Sequence, residues 1–302
     1  MKSIALFKKF MHANVNLNKT RINRLNRHVG AVQNFLDKSS FQIKGMYPQG
    51  SYAHHTIIKP AKKNKEFDVD VVIRVNEERG WEARDYIENL YTLFKANPVY
   101  RRKVGRKSRC ITLDYTGEFH LDIVPLLRTD IFNGLFGKKY QILNRNTNEY
   151  ERTDSFGYTN WLMEKNSIIP KNYFVMSIRL LKYLRDSKQN FSVKSILLNT
   201  MLGNLISENE DISIEFCDFP TSFKTIVNRL NEWLQAHSVM PIVMNPCLEM
   251  ENFNRHWDEI KYQNFKRKVE FYAEWVNDAY SERNRKLSIL KWQRIFGGNF
   301  GI

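Results

Sequence analysis

Nine residues, Phe67-Asp68-Val69-Asp70-Val71-Val72-Ile73-Arg74-Val75, limit what this chain can become. Their β-branched and aromatic content reads as a strand, yet two carboxylates interrupt it. Alternation puts Asp68 and Asp70 on one face and Phe67, Val69, Val71 and Ile73 on the other, toward a core. Two anions within about 7 Å of each other on such a strand repel and cost desolvation unless a cation lies between them. The nearby Lys and Arg residues lie in loops, and a hard divalent ion suits paired carboxylates better. Asp122 repeats the pattern between Leu121 and Ile123 in a second strand-like run, Phe119–Val124. Three Asp on adjacent strands would make an oxygen-rich site for Mg²⁺ or Mn²⁺. Such a site can activate an oxygen nucleophile and stabilise displacement at phosphorus. The competing reading is edge-strand Asp pointing at water, and Asp-x-Asp alone does not decide between the two.

Upstream lies Gln49-Gly50-Ser51-Tyr52, after a short alternating run with Phe41 and Ile43 as its apolar positions. A Gly-Ser at a strand-to-helix turn lets the backbone approach a phosphate closely, with the helix N-terminus and the hydroxyl as donors. An ordinary turn with a Ser cap looks the same in isolation. Gly-Ser, then Asp-x-Asp, then a third strand Asp is the more specific combination: a triphosphate cradle beside a two-metal carboxylate site.

The rest of the chain arranges itself around this set. Helical spacing of Val15, Ile22, Leu25, Val29, Val32 and Leu36 predicts one long helix over the first forty residues. Strand-like runs follow at 110–115 and 140–143, with a helix over Trp81–Asn97 between them and the Asp-x-Asp strand. Beyond about residue 155 helical periodicity dominates, in Tyr173–Arg185, Val193–Ile206, Phe223–Ala236, Phe253–Tyr280 and a last helix through Trp292. The expected fold is α/β (α+β), with a mixed sheet. Residues 1–158 form an N-terminal helix and catalytic lobe, and residues 159–302 a helical lobe. A length of 302 residues with 42% hydrophobic and 13% aromatic content supports two packed lobes and excludes a disordered chain. Cys110, Cys217 and Cys247 form no metal or disulfide pattern, and no run resembles a signal peptide or membrane span, which predicts a soluble cytoplasmic protein without a membrane partner.

The set Gly50-Ser51, Asp68-Val69-Asp70 and Asp122 resembles the active site of the DNA polymerase β-type nucleotidyltransferase superfamily. Within it, the chain is most similar to the bacterial cGAS/DncV-like nucleotidyltransferases (CD-NTases), relatives of animal cyclic GMP-AMP synthase and oligoadenylate synthase. Arg179-Leu180-Leu181-Lys182-Tyr183-Leu184-Arg185 resembles the family helix whose lysine, here Lys182, contacts the triphosphate. Lys194-Ser195-Ile196-Leu197-Leu198 resembles the next helix start, where Ser195 would also reach phosphates, and Asn245–Trp257 resembles the segment before the family's long C-terminal helix. The resemblance thus covers about residues 40–280. It implies catalysis by Asp68, Asp70 and Asp122 with two Mg²⁺ ions (or Mn²⁺), nucleotide binding by Gly50, Ser51, Lys182 and Ser195, and NTP substrates (ATP, GTP or UTP). It further implies a cyclic oligonucleotide product, of cyclic dinucleotide size, that serves as a second messenger in anti-phage (CBASS) signalling. Ile196 stands where animal cyclic GMP-AMP synthase has a base-stacking aromatic, so stacking would fall to Tyr52 or Tyr183. No zinc-ribbon insertion is present.

Charge adds a separate expectation. Lys+Arg 47 against Asp+Glu 32 gives +15, more than triphosphate substrates require. The excess concentrates in Lys19, Arg21, Arg24 and Arg27 of the first helix and in Arg101, Arg102, Lys103, Arg106, Lys107 and Arg109, with Lys62, Lys63 and Lys65 before Asp68. Such clusters suit salt-sensitive binding of a regulatory RNA or DNA, although lysine-rich solvated surfaces look alike in sequence. The glycine-rich end, Gly297–Ile302, reads as mobile. Some family members are conjugated through their C-terminus by ubiquitin-like machinery, which adds a further candidate partner. His54, His55 and His120 lie near the motifs, but a metal mechanism needs no general-base His. Two other functions fit parts of the pattern: a template-independent transferase that makes linear oligonucleotides or extends RNA 3′ ends, and a non-catalytic nucleic-acid-binding protein on the same scaffold.

Overall fold

The computed structural model of the chain describes residues 3–61, 65–129 and 139–302. Its first helical stretch is broken. Helix α1 (Ile4–Phe10) runs into a π-turn (Met11–Val15), the chain extends at Asn16, and α2 (Lys19–Asp37) starts afresh. Asn18 causes the restart, because its side chain accepts the Arg21 N–H at 2.8 Å and caps the new helix. A single helix over the first forty residues is therefore corrected to two, with Val15 and Leu17 buried at the break.

Strand β1 (Ile43–Gln49) leads through the short α3 (Gly50–Ala53) to β2 (Phe67–Val75) and α4 (Ala83–Ala96). Then come β3 (Val104–Arg106), β4 (Ile111–Tyr115), β5 (Phe119–Thr129), β6 (Lys139–Asn144) and β7 (Glu149–Thr153). These strands form one mixed sheet in the order β1-β2-β5-β4-β3, with β6 joining β5 and β7 joining β6. Only β2 and β5 pair in parallel; the other described pairs are antiparallel. Val69, Val71 and Ile73 are buried, as alternation demands. Helix α4 opens with a capping box between Glu82 and Asp85 and buries Tyr86, Ile87, Leu90 and Phe94.

Helix α5 (Ser155–Ile168) leads into α6 (Tyr173–Lys188), α7 (Ser195–Asn204), α8 (Ile212–Glu215) and α9 (Phe219–Gln235). A small hairpin, β8 (Met244–Asn245) and β9 (Leu248–Asn252), precedes α10 (Glu259–Ser281) and α11 (Arg285–Phe296). The helix expected from Phe253 thus begins only at Glu259, where Asp258 caps it by accepting the Lys261 N–H. Phe7 and Phe10 of α1 meet Trp292, Phe296 and Phe300 in one aromatic cluster. The glycine-rich end is accordingly not free. Gly297 and Gly301 take positive φ (96° and 87°) and turn the chain so that Phe300 is 0% exposed.

Contacts divide the chain into two units: residues 1–17, 54–63 and 160–302, and residues 18–53 and 64–159. This differs from a single cut at residue 158. The 54–63 segment joins the helical unit because the Lys59 N–H donates to the Val15 carbonyl (2.7 Å), and Arg179 Nε donates to the His55 carbonyl (2.6 Å). Among the described residues no helix is long and apolar enough to cross a membrane.

Candidate active site

Register assembles the carboxylates in the sheet unit. Parallel pairing sets Asp70 beside Asp122 and Asp68 beside His120. On the other side of β5, antiparallel β4 sets Thr112 beside Asp122 and Asp114 beside His120. One sheet face therefore carries two rows, Asp70-Asp122-Thr112 and Asp68-His120-Asp114. All three Asp share this face, Asp68 and Asp70 through period-two alternation along β2 and Asp122 through the β2–β5 register.

The two rows differ chemically. Thr112 Oγ1 donates to Asp122 Oδ1 at 2.6 Å, and Lys107 Nζ lies 3.0 and 2.7 Å from Asp122 Oδ1 and Oδ2. Burial opposes the Lys107 charge, but bonding to Asp122 and its negative field outweigh this and hold Lys107 above the usual lysine range. In the other row, His120 Nε2 stands 2.9 Å from Glu66 Oε2 and 3.9 Å from Asp114 Oδ1, and Nδ1 is 3.7 Å from Asp68 Oδ1. The Gly117 N–H fixes the other Glu66 oxygen at 2.5 Å. Glu66, Asp114 and His120 offer ligand atoms within 4.8 Å of one another, beside the Asp triad and separate from it.

Gly50 is required for two independent reasons. Its φ is +57°, and a Cβ there would stand 2.7 Å from Asp70 Oδ2. The glycine of the Gly-Ser turn thus lies directly against a predicted metal ligand. Ser51 follows in the first turn of α3, and Tyr52 donates its hydroxyl to Asn26 of α2 at 2.8 Å. A hard divalent cation fits this set: carboxylates on adjoining strands, a glycine that leaves room beside Asp70, and a Lys ammonium already drawn onto Asp122.

Lys182 and Ser195 belong to the other unit. Lys182 is 5% exposed, in contrast to a solvated helix lysine, and its Nζ donates to the Thr56 carbonyl at 2.8 Å. Nearby His54 is lowered to about 4, first by burial and then by the charges of Lys182 and His55. Burial also lowers Arg179, which bonds to the His55 carbonyl and Asn16. Ser195 opens α7 and accepts from Arg185 at 3.2 Å. Tyr183 is buried edge-on against Phe10, which makes it a core residue and removes it as a base-stacking platform.

The basic clusters separate into two groups. Lys19, Arg21, Arg101 and Arg102 are exposed. Arg24 pairs with Glu118, and Lys103 lies over the Tyr115 ring at 5.0 Å. His28 packs on the same ring, and burial lowers its pKa, with Lys103, Arg27 and Arg24 adding to the effect against Glu118. The α2 and 101–103 clusters thus meet around Tyr115. Arg106 and Lys107 do not join them, because Arg106 pairs with Glu88 and stacks on Tyr91 while Lys107 serves Asp122. Lys62 and Lys63 lie outside the described residues. Sequence reasoning missed Thr112, whose strand position was its only signal, and it placed Lys107 on the wrong surface.

Comparison with known proteins gives consistent results. The model of the Second Messenger Oligonucleotide or Dinucleotide Synthetase domain matches residues 1–166. A c-di-GMP synthase of Roseivirga ehrenbergii is 32% identical over 153 residues, 49% of this chain and 40% of that protein. The match therefore spans less than half of the relative's length. The cyclic AMP-AMP-AMP synthase of Escherichia coli is 21% identical over 321 residues, covering 97% of this chain and 96% of its own. The structure of E. coli CdnC with ATP superposes with a TM-score of 0.76 at 21% identity, covering 98% of both chains. That likeness establishes the shared fold.

Proposed function

The chain belongs to the family of Second Messenger Oligonucleotide or Dinucleotide Synthetase domains and is a bacterial cGAS/DncV-like nucleotidyltransferase; from that premise we propose that it joins nucleoside triphosphates, releases pyrophosphate and closes the product into a cyclic oligonucleotide. The observation that carries this reading is Asp70 in register with Asp122 on one sheet face, with Gly50 against the Asp70 carboxylate. Asp68, Asp70 and Asp122 would hold two Mg²⁺ ions, which when bound would neutralise triphosphate charge and acidify the attacking sugar hydroxyl. Gly50 and Ser51 offer backbone and hydroxyl donors to phosphate oxygens. Lys182 supplies a compact positive charge suited to a phosphate, and Ser195 a second hydroxyl. Thr112 fixes the orientation of Asp122 through its hydroxyl bond.

ATP, GTP or UTP are the proposed substrates, and the product acts as a second messenger in anti-phage CBASS signalling. The names of two relatives, c-di-GMP synthase and cyclic AMP-AMP-AMP synthase, support ring closure and differ in ring size. Incubation with α-labelled NTPs and Mg²⁺, followed by phosphatase, tests the product class. A cyclic product keeps its label in a phosphatase-resistant species that lacks a free 5′ end. A ladder of linear products with accessible terminal phosphates would instead establish the transferase alternative.

A second reading concerns regulation. The α2 and 101–103 clusters meet around Tyr115, where several phosphates of RNA could be neutralised at once. Arg21→Glu/Arg27→Glu should weaken filter-bound RNA and make the remaining binding less sensitive to salt. Unchanged RNA binding in that variant excludes this face.

A further inference from the structure

Lys107 stood in the sequence as one cation of a charge run, yet its surroundings differ from those of a solvated lysine. It opens the Lys107–Cys110 turn between β3 and β4, where its N–H donates to the Cys110 carbonyl at 2.9 Å. The Arg145 N–H donates to the Ser108 carbonyl at 2.7 Å. Arg109 grips Glu151 through both carboxylate oxygens, at 2.8 and 2.6 Å from one guanidinium nitrogen. The turn is thus tied to two other segments of the sheet unit, and it delivers the ammonium to both oxygens of Asp122.

The two ends of the Asp triad are treated unequally. Asp122 is 13% exposed, with Lys107 on both oxygens and Thr112 on one. Asp68 is 72% exposed, and His120 Nδ1 stands 3.7 Å from its Oδ1. A divalent ion can approach Asp68 freely, but at Asp122 it must displace a cation already in place.

We propose that Lys107 is a built-in counter-ion that keeps Asp122 from binding free divalent metal and releases it when metal arrives with a nucleotide. The inference rests on Asp68, Asp70 and Asp122 being metal ligands. A free metal ion must leave the displaced ammonium beside a second positive charge, which raises the cost of binding. A triphosphate offers that ammonium a new anionic partner, and lysine's flexible four-carbon stem can follow it. Metal and nucleotide then favour each other's binding, and by linkage the effect is reciprocal. The arrangement would prevent the acidic face from loading metal unproductively.

The test is Mn²⁺ binding followed by electron paramagnetic resonance, with and without a non-hydrolysable NTP, in the full chain. Wild type is compared with Lys107→Met, which keeps the stem and removes the charge, and with Lys107→Arg, which keeps the charge. Lys107→Met should bind free Mn²⁺ about tenfold more tightly than wild type, about 1.4 kcal/mol. The enhancement of Mn²⁺ affinity by nucleotide should shrink by the same factor, while Lys107→Arg retains it. A structural role for Lys107 would not change that coupling in this direction. If Lys107→Met binds free Mn²⁺ no more tightly than wild type while nucleotide still enhances both, the Lys107 inference fails alone. If no protein binds Mn²⁺ even with nucleotide, the metal reading of the triad fails with it.

Discussion

In the sheet unit the triad is carried on an open face, with Asp68 72% exposed and its placement set by strand register. In the helical unit Lys182 is 5% exposed and satisfied by the Thr56 carbonyl, beside a His54 held neutral by burial. The first arrangement tolerates clustered anions because water and Lys107 screen them. The second removes a cation from water and has to satisfy it with backbone oxygen. The exposed set therefore has little influence on stability and much on chemistry, whereas the buried set influences both. Mutations and pH should separate the two.

The largest effect expected outside the carboxylates is on the stability of the helical unit. His54 is depressed from its ordinary 6.5 to about 4, so the unfolded chain binds a proton that the folded chain excludes. Its contribution is complete above pH 6.5 and is lost as pH falls toward 4, by at most about 3 kcal/mol. Denaturant melts of wild type and His54→Asn across that window should diverge in slope. Parallel slopes would remove His54 from the account. The sheet face is tested next by Gly50→Ala. A methyl group 2.7 Å from Asp70 Oδ2 must push the carboxylate aside, which should cost roughly 100-fold in turnover. The strained φ adds only about 1 kcal/mol of instability. Turnover within a few-fold of wild type would show that Asp70 tolerates displacement. Smaller again is Lys182→Met, for which NTP KM should rise about tenfold if one charged phosphate contact is lost. The melting temperature should change little, because the relief of a buried charge is offset by leaving the Thr56 carbonyl without its donor. A marked fall in melting temperature with unchanged KM would make Lys182 purely structural.

The sheet site was largely legible because alternation has a period of two, so Asp68, Asp70 and Asp122 announced themselves against apolar neighbours. Their juxtaposition was harder to read. That Asp70 stands beside Asp122 depends on a parallel pairing across some fifty residues of sequence, which no local pattern encodes. Thr112 was missed and Lys107 was assigned to the nucleic-acid face for the same reason, since each meets Asp122 only when β4 is laid against β5. The helical unit was less legible. Spacing gave α6 and α9 closely, yet it merged α1 with α2 and read the end of the chain as free. The first error missed a local signal, the Asn18 cap that restarts the helix; the second comes from distant partners, since Phe7 and Phe10 at one end and Trp292, Phe296 and Phe300 at the other bury one another. Lys182 was singled out only through the resemblance, and its burial was not legible because nothing adjacent in sequence reveals it.

The central claim is that Asp70 and Asp122, neighbours by register, together hold the metal that drives transfer. Pyrophosphate release from NTPs with Mg²⁺, measured for wild type, Asp70→Asn and Asp122→Asn at matched folding, addresses it most directly. Each substitution should lower the rate by at least about 1,000-fold, or roughly 4 kcal/mol of barrier. The melting temperature should stay level or rise slightly for Asp70→Asn, where a like-charge repulsion is relieved, and fall modestly for Asp122→Asn, which loses its ion pair with Lys107. A variant at either position that released pyrophosphate within tenfold of wild type would contradict the account.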